Sequence, residues 1–142
     1  MITIDQIRTA LQRRAHLPAA FEPAPTQAAV AMILADGDND LEVCFIRRAE
    51  RAGDPWSGQV AFPGGRAGSD DRDAHEVAER ETWEEIGLSL AADHRIGPLP
   101  VREVVRPETA NSLTLSPFVY YIGTGGETLD LASHAHEVAD VF

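Results

Sequence analysis

Just past its midpoint the chain reads Arg80-Glu81-Thr82-Trp83-Glu84-Glu85-Ile86-Gly87-Leu88. The glutamates stand at relative positions i, i+3 and i+4. On a helix of 3.6 residues per turn, Glu81 and Glu85 project about 40° apart, and Glu84 projects about 60° to the other side of Glu81. Like charges at this spacing weaken an isolated helix. The segment therefore predicts a helix whose carboxylates share a divalent cation, because hard cations such as Mg²⁺ take oxygen ligands.

The alternative interpretation of this acidic segment is a solvated helix face. A helical wheel drawn over residues 73–86 tests that interpretation. Around the arc of Glu81 and Glu85 it places small and apolar residues, namely Ala74, Val77, Ala78 and Thr82. A solvated face would set its acids opposite that arc, so the pattern favours carboxylates that turn inward and bind a metal.

Ahead of this helix the chain reads Gly64-Gly65-Arg66-Ala67-Gly68-Ser69-Asp70-Asp71. Together the two segments resemble the Nudix box, G-x5-E-x7-R-E-U-x-E-E-x-G-U, in which U is aliphatic. Every fixed position from Arg80 onward matches, although Thr82 replaces the first aliphatic residue. The front half departs from the pattern. Asp71 replaces its glutamate, and eight residues rather than seven separate Asp71 from Arg80. Arg72 stands at the strict x7 position and cannot bind a metal.

The resemblance implies a hydrolase that cleaves a nucleoside diphosphate linked to another group, with Mg²⁺ or Mn²⁺ as the cofactor. It implies Glu81, Glu84 and Glu85 as metal ligands. Among these, Glu85 is also a candidate catalytic residue, and Glu84 is either a ligand or the base that orients water. Many family members supply a further acid from a loop before the last strand. Glu137 matches that place as a fourth ligand or the base, with a solvated loop acid as the alternative.

Two further residues of the box are expected to be structural. Arg80 lies beside the glutamates, and its expected role is to pair with a neighbouring carboxylate and fix its rotamer. Gly87 is well placed for the left-handed position that ends a helix. At the other end, Asp73 with Glu76 three residues later predicts a capping box at the start of the helix.

Upstream of the box, Arg48-Ala49 and the run from Ser57 to Gly65 resemble a second signature, R-[S/A]…G-x3-F-P-G-G. This signature belongs to the coenzyme A pyrophosphatase branch of the Nudix family. It implies cleavage of coenzyme A or its thioesters to 3′,5′-ADP and 4′-phosphopantetheine. One additional residue separates Arg48 from Gly58, and a Gly53-Asp54-Pro55-Trp56 insert replaces an expected basic residue. The contacts to the 3′-phosphate are therefore left open.

Candidate substrate-binding residues follow from their place around this signature. Arg47 and Arg48 are candidates to meet phosphates, with the alternative that one of them is simply a surface residue. Trp56 either stacks on adenine or pins its loop to the core. Gly64 and Gly65 allow a tight turn and a close approach of the backbone to a ligand. The full set is Arg47, Arg48, Trp56, Gln59, Gly64, Gly65 and Arg66.

These observations leave three functional hypotheses. The first is a metal-dependent pyrophosphatase that acts on coenzyme A or its thioesters. The second is a Nudix hydrolase of ADP-ribose or a dinucleotide, which the altered region around the insert would permit. The third is a binding module that keeps the fold without turnover. The intact set of glutamates argues against the third.

Composition restricts the partners. The net charge of −11 argues against nucleic acid, since binding phosphate backbones requires a basic face. A small phosphorylated nucleotide remains suitable, because metal ions and local arginines can hold it.

No apolar stretch has the length of a membrane span or a signal peptide, so we expect a cytoplasmic protein. A homodimer is compatible with this interpretation. The single cysteine, Cys44, is expected to be a core residue.

Patterning predicts an α/β fold, a Nudix-type α/β/α sandwich with a mixed sheet. A helix over residues 4–14 and a Pro-rich linker form region 1–25, and a Nudix domain spans 26–142. Strands are expected at 26–34, 41–47, 59–62, 99–105 and 113–122, the first two forming a hairpin. A polar loop is expected at 106–111. Residues 138–142 read as the first half of an apolar strand, so we expect the sequence to lack the end of its last strand and the helix after it.

Overall fold

The computed structural model describes residues 2–13, 21, 24, 26–49, 52–53, 58–105, 112–123 and 138–141. The helices are α1 (Ile4–Arg13) and α2 (Ala74–Ile86), with a short 3₁₀ helix at Ala92–His94. The strands are β1 (Gln27–Asp36), β2 (Leu41–Val43), β3 (Ile46–Arg48), β4 (Val60–Ala61), β5 (Gly64–Arg66), β6 (Arg95–Pro98), β7 (Arg102–Val105), β8 (Ser112–Tyr121) and β9 (Val138–Val141).

Strand β1 is at the centre of a mixed sheet in the order β2-β1-β8-β6. It pairs in parallel with β8 and antiparallel with β2 and β5, while β6 and β7 pair antiparallel with different parts of β8. Its sequence, QAAVAMILAD, is apolar almost throughout. A strand covered on both faces needs such a run, because neither face contacts water.

A second, antiparallel sheet has the order β4-β3-β9. Ile46 of β3 is buried and pairs with Ala61 of β4 and Val141 of β9. This small sheet joins the main one through the chain between β2 and β3, and through Pro63, whose carbonyl oxygen accepts a hydrogen bond of 2.8 Å from the N–H of Ala31.

The two long helices contact opposite faces of the main sheet. The hydroxyl of Tyr120 donates a hydrogen bond to Glu79 of α2, whereas the ring of Tyr121 lies under the guanidinium of Arg8 from α1. Consecutive residues of a strand point to opposite faces. The sheet therefore lies between α1 and α2, which confirms the predicted α/β/α sandwich of the Nudix type.

The core lies chiefly between α2 and the main sheet. Val77, Ala78 and Ile86 of α2 belong to one buried cluster with Ala29, Ala31 and Ile33 of β1. Phe118 and Tyr120 of β8 complete this cluster, together with Cys44, Ile46, Ala67 and Leu90. Cys44 is thus a core residue, and burial raises the pKa of its thiol to about 11.

Most predicted elements are confirmed with small changes at their ends. The first helix, the β1–β2 hairpin, β4, α2, β7, β8 and the start of a last strand lie where the pattern predicted them. The predicted capping box is half correct. Asp73 accepts a hydrogen bond of 2.8 Å from the N–H of Glu76, but the Glu76 carboxylate accepts one from Arg72 instead.

The prediction of one strand over residues 41–47 is wrong. The segment divides into β2 of the main sheet and β3 of the small sheet. The N–H of Cys44 still donates to the carbonyl of Ile33, and then Phe45 stacks on Phe62 with ring centroids 5.0 Å apart. Cys44 and Phe45 belong to neither strand, so the single predicted strand is interrupted at these two residues.

Strands β5 and β6 were not predicted. The Pro-rich linker lies largely outside the described residues, and the polar loop at 106–111 lies wholly outside them, so the division at residue 25 stays a prediction. Within the described ranges, every helix is too short or too polar to cross a membrane.

Candidate active site

Helix α2 presents the box glutamates because both of its ends are fixed. Asp73 caps the start, and Gly87 ends the helix with φ 71°, its N–H bonded to the carbonyl of Trp83. Between these ends Val77, Ala78 and Ile86 are buried against the sheet. Thr82, which replaces an aliphatic residue of the pattern, is also buried. Its hydroxyl donates to the carbonyl of Ala78 at 2.7 Å, so a polar group is satisfied inside the core.

Glu85 lies on the inner face of α2 and is 4% exposed. Its Oε1 accepts a hydrogen bond of 2.8 Å from the N–H of Gly64. Burying a carboxylate is costly unless hydrogen bonds compensate for the lost water, so this bond stabilises Glu85 in the interior. It also joins the last turn of α2 to the first residue of β5.

Gly64 occupies a position where a side chain would not fit. A Cβ there would run into the carbonyl oxygen of Ala29 and would lie 2.7 Å from the Cα of Val30. The absence of a side chain lets β5 pair closely with β1, in register Val30 to Gly64 and Ala29 to Gly65. The two glycines therefore allow β5 to lie close against β1.

Glu81 lies against the second glycine. A Cβ added at Gly65 would be 2.5 Å from the Cδ of Glu81 and 2.8 Å from each of its carboxylate oxygens. The carboxylate thus occupies the space that a side chain on Gly65 would fill. Glu81 and Glu85 both face the Gly64-Gly65 backbone from α2.

The guanidinium of Arg80 links the loop before α2, strand β5 and helix α2 by hydrogen bonds. Its Nε and Nη2 donate to the two oxygens of Asp71 at 3.0 and 2.9 Å. Its Nη1 donates to Oε1 of Glu81 at 3.1 Å and to both oxygens of Glu84 at 3.1 and 3.2 Å. Nη2 also donates to the carbonyl of Arg66 at 3.1 Å. Hydrogen bonding to Asp71 is the main cause that raises the pKa of Arg80 above its ordinary value.

Asp71 is buried, and its carboxylate faces Arg80. Besides the two bonds from Arg80, its Oδ2 accepts a hydrogen bond of 2.7 Å from the N–H of Gly68. The hydrogen bond from Arg80 lowers the pKa of Asp71, more than burial raises it. Asp71, which replaces the first glutamate of the box pattern, is therefore an ion-pair partner of Arg80.

Glu84 lies further out, with a side chain that is 53% exposed. Within the described part of the chain, no three His, Cys, Asp or Glu side chains are grouped as a metal site. The Nη1 of Arg80 instead lies between Glu81 and Glu84 as the positive charge they share. The donors are carboxylate oxygens on one helix, which suit Mg²⁺ or Mn²⁺ by chemical type. The metal-ligand assignments of Glu81, Glu84 and Glu85 stay predictions.

The candidate substrate-binding residues lie in two places. Arg48 and Gln59 are neighbours, since the N–H of Arg48 donates to the carbonyl of Gln59 at 2.9 Å. Arg47 of β3 is exposed and pairs in register with Val60, whereas Arg48 is half-buried. Arg66 is exposed at the end of β5, beside Gly65 and within the Arg80 network through its carbonyl. Trp56 and Glu137 lie outside the described residues.

A model of the NUDIX domain family matches residues 25–141. The chain belongs to the Nudix domain family. This finding confirms the family that the box of residues predicted.

Curated Nudix relatives resemble this chain over much of its length. Mitochondrial coenzyme A diphosphatase NUDT8 of Mus musculus is 33% identical over 92% of this chain, and that of Homo sapiens is 32% identical over 87%. The alignments cover 60% of the mouse protein and 50% of the human protein, so the chain spans about half the length of these relatives.

Among solved structures, the NUDIX domain of Shewanella oneidensis NrtR complexed with ADP ribose superposes with a TM-score of 0.65. It is 16% identical and covers 94% of this chain and 80% of that chain. At this identity the similarity shows the Nudix fold, in agreement with the sheet and helix arrangement described above.

On the other side of α2, a second network supports the Nudix helix, and no pattern in the sequence indicated it. Glu79 accepts hydrogen bonds from the hydroxyl of Tyr120 at 2.8 Å and from Arg95 at 2.9 and 3.1 Å. Burial, followed by the hydrogen bond to Glu79, raises the pKa of Tyr120 above its ordinary value. These residues come from α2, β6 and β8, and their contacts depend on tertiary pairing, which no local spacing reveals.

Proposed function

We propose that this Nudix chain hydrolyses the pyrophosphate bond of coenzyme A or its thioesters, with Mg²⁺ or Mn²⁺ as the cofactor. The observation that carries the proposal is the placement of Glu81 and Glu85 against the Gly64-Gly65 backbone, with Glu85 bonded to the Gly64 N–H at 2.8 Å. The substrate class is supported by the two coenzyme A diphosphatases that match most of this chain. The products would be 3′,5′-ADP and 4′-phosphopantetheine or its acylated form.

The residues that would hold the cation are Glu81, Glu84 and Glu85. Their fit rests on their donor chemistry and on the space beside Gly65, which keeps the Glu81 carboxylate close to the backbone of β5. A bound divalent cation lowers the pKa of a coordinated water and offsets the negative charge of the phosphates. Glu85 keeps its orientation through the Gly64 N–H, and Glu81 through the Nη1 of Arg80.

In the proposed reaction the oxygen of water forms a bond to one phosphorus, and the bond from that phosphorus to the bridging oxygen breaks. The leaving phosphate takes the electron pair. As the alternative to holding the cation, Glu84 is suited to orient the water and accept its proton, since its carboxylate is half exposed yet held by Arg80. Arg66, exposed beside Gly65, is suited to contact the phosphates. Glu137 stays a candidate for the base from sequence alone.

The proposal is tested with a panel of coenzyme A, acetyl-coenzyme A, ADP-ribose and NADH, with and without Mn²⁺, and with products identified by mass. We expect 3′,5′-ADP from coenzyme A or acetyl-coenzyme A only with metal. Cleavage of ADP-ribose or NADH alone would contradict the coenzyme A assignment and keep the Nudix chemistry. No cleavage of any compound would favour a binding module.

Two variants of α2 make the test specific to the site. Glu85→Gln removes the charge of a buried box residue and should abolish turnover. Glu76→Gln is the matched control, because Glu76 lies in the first turn of the same helix and pairs with Arg72. An unchanged rate for Glu85→Gln would contradict the site, whereas the control should retain the rate of the unmodified protein.

Two expectations from the sequence stay predictions. One is a cytoplasmic location, and the other is a homodimer. Light scattering coupled to size-exclusion chromatography would measure the mass of the assembly and decide between a monomer and a dimer.

A further inference from the structure

Hydrogen bonds attach helix α2 to the sheet on two of its sides. On the side of β5, Glu85 accepts a bond of 2.8 Å from the N–H of Gly64. On the other side, Glu79 accepts bonds from the hydroxyl of Tyr120 at 2.8 Å and from the guanidinium of Arg95 at 2.9 and 3.1 Å. At about 100° per residue, Glu79 projects about 120° from Glu85 around the helix. The two attachments therefore hold different sides of α2.

Neighbouring strands supply the two partners of Glu79. Arg95 of β6 and Tyr120 of β8 are register partners in an antiparallel pair, and both side chains reach the same carboxylate. Tyr120 is fully buried, and the side chain of Glu79 is only 18% exposed. Hydrogen bonds to a charged group that is largely shielded from water are stronger than exposed ones. Glu79 is thus a firm point of attachment between α2 and the β6–β8 pair.

The carboxylate of Glu79 is committed to these contacts. Its Oε1 accepts from Nη2 of Arg95, and its Oε2 accepts from Nε of Arg95 and from the hydroxyl of Tyr120. Glu79 also projects about 160° from Glu81 around the helix. Any influence of Glu79 on the box glutamates must therefore pass through the helix itself.

Rotation of α2 about its own axis, its roll, is the motion that these attachments resist. Apolar contacts hold the helix against the sheet, but they are not directional and restrict roll less than hydrogen bonds do. A roll of about 10° would move a carboxylate that lies about 6 Å from the axis by about 1 Å. Metal–ligand distances, in contrast, vary by only about 0.2 Å. A small roll would therefore be enough to spoil a metal site on α2.

We propose that Glu79 is a positioning residue that sets the roll of α2. Tyr120 and Arg95 hold its carboxylate, and the helix carries the effect to Glu81 and Glu85, which stay against the backbone of β5. The inference rests on the proposed function, because it concerns glutamates that are proposed to bind a metal. It assigns to Glu79 no contact with metal or substrate.

Amide hydrogen exchange, followed by NMR in the metal-free chain, tests whether the effect crosses the helix. Tyr120→Phe deletes a neutral hydroxyl and leaves every charge in place. The N–H of Gly64 should then exchange faster, and its rate relative to the N–H of Cys44 should rise at least about fivefold. Cys44 is the internal reference, since its N–H bonds the carbonyl of Ile33 on the other side of β1. An unchanged ratio would mean a general loss of stability or no effect, and would overturn the proposal.

Mn²⁺ affinity, measured by calorimetric titration of the folded chain without substrate, tests the consequence for the glutamates. Tyr120→Phe should weaken Mn²⁺ binding about fivefold, less than the loss of a group that bonds a metal ligand directly. Tyr121→Phe is the matched control, because it deletes a hydroxyl that bonds Asp36 on the opposite face of the sheet. The control should stay within about twofold of the unmodified chain. Equal affinities of the two variants would contradict the proposal.

Substitutions of Glu79 show whether the hydroxyl of Tyr120 acts through this carboxylate. In the Glu79→Ala background, Tyr120→Phe should change Mn²⁺ affinity less than about twofold, because the shared bond is already lost. A further fivefold loss in that background would overturn the proposal. Glu79→Gln keeps an oxygen that can accept from Tyr120, so it should bind Mn²⁺ more tightly than Glu79→Ala. Equal binding by these two variants would also contradict the inference, and this comparison serves if Tyr120→Phe loses its native circular dichroism.

The failure of this inference is distinguishable from failure of the proposed function. Absence of Mn²⁺ binding by the unmodified chain would overturn the metal site and this inference together. Normal Mn²⁺ binding by the unmodified chain, with no change on Tyr120→Phe or Glu79→Ala, would overturn only the role of Glu79.

Discussion

The Oε1 atom of Glu85 lies 2.8 Å from the backbone nitrogen of Gly64, a residue that is 21 positions earlier in the chain. This bond sets the distance between the end of α2 and the start of β5. Because both carry residues of the candidate site, the geometry of the site depends on a close approach that only glycine permits at position 64.

The two adjacent glycines of β5 should respond differently to alanine. Gly64→Ala would force a Cβ into the backbone of β1, which cannot yield, so we expect a loss of about 2–4 kcal/mol in the free energy of unfolding. Gly65→Ala meets only the end of the Glu81 side chain, which can move. Its stability should change by less than about 1 kcal/mol, while its metal affinity falls. Urea unfolding and Mn²⁺ titration measure the two effects.

Gly68→Ala is the matched control for this pair. A Cβ at position 68 would meet Oδ2 of Asp71 at 3.6 Å, which is an ordinary contact. Stability and metal affinity of this variant should both stay near those of the unmodified protein. A Gly65→Ala variant that binds Mn²⁺ normally would contradict the placement of Glu81.

Tyr120→Phe should destabilise the fold through α2. The variant deletes the hydroxyl that bonds Glu79 in a part-buried setting, and we expect a loss of about 1–2 kcal/mol in urea unfolding. Tyr121→Phe provides the comparison, because its hydroxyl bonds the exposed carboxylate of Asp36 and its removal should cost less than about 0.5 kcal/mol. Equal losses in the two variants would contradict the structural role of the Tyr120–Glu79 bond.

Protonation of His75 should lower the stability of the fold in mild acid. His75 stacks on Phe118 with ring centroids 3.8 Å apart, and burial, followed by the charge of Arg95, lowers its pKa below 6.5. Glu79 and Asp73 oppose this shift without reversing it. The unfolded chain therefore binds the proton more readily, so stability falls as the pH drops below about 6.5. His75→Phe keeps a stacked ring and should lose this part of the pH dependence in urea unfolding measured from pH 5 to 8. An unaltered slope would contradict the assignment.

The sequence predicted the parts of the site that depend on local spacing. The 3.6-residue period around Glu81 and Glu85 indicated the inward face of α2, and Asp73 and Gly87 indicated its ends. The partners of these residues depend on long-range pairing and were not predictable. The hydroxyl of Tyr120 bonds Glu79, which lies 41 positions earlier in the chain. Strand β2 ends just before Cys44, where the chain passes from the main sheet to the small sheet.

Strands β5 and β6 were not predicted because they contain residues that are uncommon in strands. Strand β5 consists of Gly64, Gly65 and Arg66, and β6 contains Gly97 and Pro98, residues that are rare in strands. In β5 the glycines are favoured by the close approach of β1 and by the carboxylate of Glu81. The close packing at Gly64 and Gly65 thus overrides their local propensity.

Removal and return of metal during coenzyme A hydrolysis tests the central claim most directly. The protein is treated with a chelator, dialysed, and assayed for 3′,5′-ADP by mass before and after addition of Mn²⁺. We expect no product from the metal-free protein and full recovery of the rate when Mn²⁺ is added back. Release of 3′,5′-ADP at an undiminished rate without metal would contradict the account of the glutamates of α2.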